Sequence, residues 1–119
     1  MQVFRVQNSQ GVGPFSERKG EFASDWDDRV YEKAMFDPYK HPSPQVDGLV
    51  KGYGDVKDHH RFGCPDLDSL LTWFPGDWIE FFESYGFEVH CMEVITTKIS
   101  QSGIQCMFSV DDIESSFTI

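Results

Sequence analysis

A chain of 119 residues that is 39% hydrophobic, 15% aromatic and 25% charged has the size and composition of one globular domain, residues 1–119, and not of a disordered or low-complexity segment. Its formal net charge of −10 argues against direct binding to a nucleic-acid backbone, because such binders present basic stripes that release counterions. No apolar run reaches the roughly 20 residues of a membrane span, MQVFRVQNSQ lacks a signal-peptide pattern, and Cys64, Cys91 and Cys106 fit no disulfide framework, so the expectation is a reduced protein that acts where it is made.

Residues 2–7 (QVFRVQ) alternate and predict a first strand, with Phe4 and Val6 on one face and Val3 and Arg5 on the other. GVGP at 11–14 breaks it. Residues 24–35 predict a helix, with Ser24 as N-cap, acids in its first turn, and Trp26, Val30 and Ala34 as a narrow apolar stripe. Residues 36–58 carry Pro38, Pro42, Pro44, Gly48, Gly52 and Gly54. They predict a long irregular loop, longer than the 12–15 residues of ordinary connections.

HHRFG at 59–63 predicts a short strand. Pro65 suits the first position of a helix, whose stripe is Leu67, Leu70, Leu71 and Phe74. Pro75-Gly76 ends it. A second helix follows, with Asp77 and Glu80 as an acidic capping box and Trp78, Phe81, Phe82 and Tyr85 as its stripe. Gly86 suits the C′ position. Residues 87–94 and 103–110 predict two strands, and DDIESSFTI a turn with a short terminal strand. The fold class expected is α+β: a mainly antiparallel sheet packed by two or three helices, with the 36–58 loop beside it.

Chemistry-bearing residues are sparse. His59, His60 and Cys64 lie close in sequence, but no CxxC or HExxH accompanies them, so a metal site is not expected. Cys64 beside these histidines is conceivable as a nucleophile only if a helix N-terminus lowers its pKa. Asp66/Asp68 and Asp111/Asp112 are paired carboxylates that helix starts and turns explain. GVGP is not a dinucleotide fingerprint.

The charge distribution is more informative. Nine of the ten basic residues lie in the first 61 positions, against ten acids, whereas the last 58 residues hold ten acids and only Lys98. The two parts sum to −1 and −9. Asp66, Asp68, Asp77, Glu80, Glu83 and Glu88 fall on or between the two predicted helices and the following strand. They form either a solvated face or an array of carboxylates that docks on a basic protein surface.

The order FRV, GxGPF, HPSPQVDGL, FGCPDLDSLLTWF, GFEVHCMEV and GIQCMF resembles a group of small phage and prophage proteins. That resemblance implies a viral accessory protein in the bacterial cytoplasm. On it rests the expectation of a non-enzymatic inhibitor or modulator of a host protein, of the anti-CRISPR kind, with no cofactor and as a monomer or small homo-oligomer. The same order is similar, more distantly, to an ADP-ribosyltransferase-type domain. That similarity implies NAD or ADP-ribose bound by Arg5, Phe62 and Gln105. Gln105 stands where such enzymes carry a Glu, which implies a site without full transferase chemistry. Self-association of a virion component through exposed aromatics is a third possibility.

Overall fold

The computed structural model describes residues 1–13, 42–74 and 76–119, the Tyr53 side chain excepted. The helix expected at 24–35, Pro14 of the GVGP break and the first part of the 36–58 loop lie outside the described residues. In chain order the elements are β1 (Gln2–Gln7), β2 (His60–Gly63), α1 (Leu67–Trp73), α2 (Trp78–Glu83), β3 (Glu88–Val94), β4 (Lys98–Ile99), β5 (Cys106–Ser109) and β6 (Ile113–Thr118). Short 3-10 turns occupy Tyr53–Asp55 and Val110–Asp112. The architecture is α+β.

Among the described residues the strands form two antiparallel three-stranded sheets, in the orders β1-β3-β6 and β2-β5-β4. In the first, Val3 faces Met92, Arg5 faces His90 and Val6 faces Val89 across the ladder. A register shift between Glu93 and Val94 lets β6 follow β3 on its other side. Among the described residues one backbone bridge joins the two sheets. Phe4 N–H donates to the Cys64 carbonyl at 2.8 Å, and Cys64 N–H returns a bond to the Phe4 carbonyl at 2.8 Å. The neighbouring position has to be glycine. A Cβ on Gly63 would lie 2.6 Å from the Val3 side chain and 2.9 Å from the Phe4 carbonyl oxygen.

The alternation of β1 and β3 distributes their apolar side chains to two cores. Val6 and Phe87 join Leu70, Phe74, Trp78 and Phe82 beneath the helices. Phe82 meets Phe74, Trp78 and Phe87 edge-on, with ring centroids 5.2–6.3 Å apart, the arrangement that aromatic quadrupoles favour. Val3, Met92 and Val94 instead pack with Cys106 and Phe108 of β5. The first sheet therefore buries one face against helices and the other against the second sheet.

Several local expectations are corrected. Asp66, not Pro65, opens α1: its carboxylate accepts from Ser69 N–H at 2.7 Å, so Pro65 precedes the cap. Of the α1 stripe only Leu70 and Phe74 are buried, because a seven-residue helix turns Leu67 and Leu71 outward to 39% and 47% exposure. Asp77 precedes α2 in a helical conformation and its side chain makes no capping bond, so the acidic capping box does not form. Ser84 is the C-cap, which leaves Gly86, at φ 87°, one position beyond C′. The strand expected over 103–110 narrows to Cys106–Ser109, since Gly103 has φ 81° and Val110 begins a 3-10 turn. The two-residue β4 was not anticipated.

Candidate functional site

A cleft of about 570 Å³ opens where β1, β2, α1 and the 42–58 segment converge. Its size lies within the range of small-molecule sites. Arg5, Phe62 and Gln105 all line it, although they come from β1, β2 and the turn before β5. Each is placed by a separate local cause.

Arg5 sits on the face of β1 that also carries Val3. Its guanidinium donates from Nε to Gln7 Oε1 at 3.1 Å, from Nη1 to the Phe62 carbonyl at 2.5 Å and from Nη2 to the Gly11 carbonyl at 3.4 Å. These partners are neutral, and among the described residues no carboxylate pairs with it. Withdrawal from solvent, helped by the charge of Arg61, lowers its pKa to about 10. It remains a cation at neutral pH. Gly13 leaves room for it, since a Cβ there would stand 3.0 Å from Nη2. His90, across the ladder from Arg5, has its pKa lowered by burial, with Glu88 opposing and Arg5 reinforcing that shift.

Phe62 is half-buried on β2 and presents its carbonyl to Arg5. Gln105 is buried and lies one residue before β5, not on the late strand as expected. Its amide donates to the Pro42 carbonyl at 2.8 Å and to Asp47 Oδ2 at 3.0 Å. It therefore holds the wall of the cleft, and both of its amide hydrogens have acceptors.

Asp47 is the residue that sequence reasoning missed. It is buried, and its carboxylate accepts from Ser102 N–H at 2.8 Å, Ser102 Oγ at 2.6 Å and Gln105 Nε2. Burial alone would raise its pKa. The bonds from Ser102, Gln105 and Ser100 outweigh burial and hold it below the ordinary carboxylate value. The one available signal was an acid set within the apolar run Val46-Asp47-Gly48-Leu49-Val50.

Among the described residues the rim of the cleft carries the cations Lys57 and Arg61, together with His60, beside one acid, Asp58. Lys57 Nζ donates to the Gly54 carbonyl at 2.9 Å, and Arg61 donates to the carbonyls of Asp58 and His60. The remaining wall is largely apolar and includes Val56, Trp73 and Phe74.

The six late acids lie elsewhere. Asp66, Asp68, Asp77, Glu80, Glu83 and Glu88 are all exposed. Asp66 caps α1. Among the described residues none of the six takes part in an ion pair, the one such pair being the Met1 ammonium with Glu93 at 3.2 Å. Cys64 is buried, and burial, followed by Cys106 and Asp66, pushes its thiol up to about 12. That is the opposite of an activated nucleophile. Among the described residues no three His, Cys, Asp or Glu side chains converge as metal ligands, and no helix is long and apolar enough to cross a membrane.

The model of the bacteriophage T4 Y00F protein family matches residues 1–118. The chain belongs to that family. As a Y00F-family member it is a small phage accessory protein, in keeping with the motif order from FRV to GIQCMF. No curated protein and no solved structure matches it. Among the described residues, the cleft and the acidic helical face are the two places where this family member concentrates chemistry.

Proposed function

We propose that this phage accessory protein works by binding rather than by catalysis: in the host cytoplasm it docks its acidic helical face, whose aromatic side chains turn inward to the core, on a basic surface of a host protein and inhibits or modulates it. One observation carries this reading. The six carboxylates from Asp66 to Glu88 are exposed without counter-cations among the described residues, and no Lys or Arg interrupts that stretch. Aligned carboxylates of this kind complement a groove that ordinarily receives phosphates. A nucleic-acid-handling defence complex has such a groove, which makes an anti-CRISPR-like role the natural form of the proposal. Direct nucleic-acid binding is disfavoured by the same charge.

The test is capture of host proteins by the full chain and by the triple variant Asp77→Lys, Glu80→Lys and Glu83→Lys. An exposed pair contributes roughly 0.2–1 kcal/mol, so the triple reversal weakens a genuine complex on the order of tenfold or more. Raised salt weakens it as well. Capture that ignores both ionic strength and charge reversal removes the proposal.

A second reading is favoured by the convergence of Arg5, Phe62 and Gln105 on one cleft. On that reading the cleft holds NAD or ADP-ribose, without transferase chemistry, because Gln105 supplies no carboxylate and its amide is engaged by Asp47 and Pro42. Calorimetry with NAD and ADP-ribose checks it, and absence of binding heat for both ends it.

A further inference from the structure

We infer that the cleft is a receptor for a small organic anion, with the anionic group at Arg5 and a flat apolar body against Phe62 and the Val56 wall. The inference rests on the second reading only in treating the cleft as a ligand site. It names the chemistry of the ligand and does not require a nucleotide.

Three independent observations converge. The first is the state of Arg5. Its guanidinium is withdrawn from solvent, has no carboxylate among the described residues, and donates to three neutral oxygens. A guanidinium has five N–H donors in a fixed fork, so donors remain after those three bonds. By surface area Arg5 is half-buried, and a charge partly withdrawn from water is favoured by a counter-charge. An incoming anion supplies it.

The second is the sign of the surroundings. A chain of net charge −10 places Lys57 and Arg61 around this opening beside Arg5, with Asp58 as the one acid of the lining among the described residues. The late acids from Asp66 to Glu88 do not line it. Field lines from the cationic rim are focused into a low-dielectric cleft and favour entry of anions against the charge of the whole molecule. The third is the wall. Val6, Val12, Val56, Phe62 and Leu70 offer a mainly apolar surface, which a bare inorganic ion leaves exposed and an organic body covers.

The headgroup can be a carboxylate or a phosphate monoester, since a planar guanidinium fork fits both. The test is titration calorimetry on the full chain with benzoate, phenyl phosphate, inorganic phosphate, NAD and ADP-ribose. Benzoate or phenyl phosphate, or both, are expected to bind more tightly than inorganic phosphate, and the stronger of the two identifies the headgroup. Arg5→Ala is expected to weaken binding on the order of tenfold to a hundredfold, the loss of a charge-assisted pair. Because Arg5 also ties β1 to Phe62, two further variants carry the test if Arg5→Ala does not fold. Lys57→Glu reverses charge on an exposed rim side chain, and Val56→Trp fills the apolar wall. Each is expected to weaken binding at least severalfold. Binding of phenyl phosphate or benzoate without NAD or ADP-ribose upholds the anion site and removes the nucleotide reading. NAD or ADP-ribose binding that Arg5→Ala or Lys57→Glu weakens upholds both. No binding by any probe at millimolar concentration, or binding that none of the folded variants alters, overturns the proposal.

Discussion

Asp47 shows how one side chain holds a segment in place. Its two oxygens collect the Ser102 backbone and hydroxyl and the Gln105 amide, while Gln101 N–H donates to its carbonyl at 2.8 Å. Asp47→Ala leaves one hydrogen of the buried Gln105 amide without an acceptor and frees the N–H and hydroxyl of the exposed Ser102. The expected loss is about 1–3 kcal/mol, carried by the orphaned Gln105 donor and measured by urea denaturation. The acid dependence follows from its depressed pKa. The unfolded carboxyl binds its proton first as pH falls, so the stabilisation is complete above the ordinary carboxylate value of about 3.9 and is lost progressively below it. Asp47→Asn should flatten that acid limb. An unchanged limb would show that other groups govern it. The adjacent Gly48 has φ 77°, and a Cβ there would lie 2.7 Å from the Gln101 side chain. Gln101 is exposed and can swing away, but the left-handed backbone remains, so Gly48→Ala should cost about 1–2 kcal/mol.

Among the elements, the two short helices respond differently to loss of their leading acids. Asp66 makes a capping bond and Asp77 makes none. Thermal denaturation should show Asp66→Ala destabilised by about 0.5–2 kcal/mol and Asp77→Ala nearly unchanged. Equal losses would mean that the helix dipole, not the cap, explains both acids. What the sequence revealed follows the same division. Strong periodicity located α1, α2, β1 and β3, because burial of one face leaves a repeating mark. The exposure of Leu67 and Leu71 was not legible, since a stripe does not state how many of its members find a partner. Nor was β4, since two residues leave no period. The trio Arg5, Phe62 and Gln105 came from a resemblance, whereas the partners that hold each of them depend on contacts 57–63 residues apart in sequence. The close approach at Gly63 was equally hidden. Gly63→Ala should cost about 1–3 kcal/mol through overpacking against Val3 and Phe4.

For the whole molecule, unbalanced charge predicts opposite salt effects on two properties. The late acids repel one another in the free protein, so added salt should raise its thermal midpoint modestly by screening. Salt should weaken a complex with a basic partner for the same reason. A midpoint that falls with salt would mean that favourable charge pairing dominates, contrary to the carboxylates from Asp66 to Glu88, which have no ion pair among the described residues.

The bridge between Phe4 and Cys64 has a consequence for the order of assembly. Strand β1 lies between β3 and Cys64. Both of its neighbours are synthesised at least 57 residues later. A nascent chain halted after Gly86 holds β1 and β2 but not β3, so it has no ladder on which the first sheet can form. Pairing over such separations makes a slow step, one that waits for β3 to emerge from the ribosome.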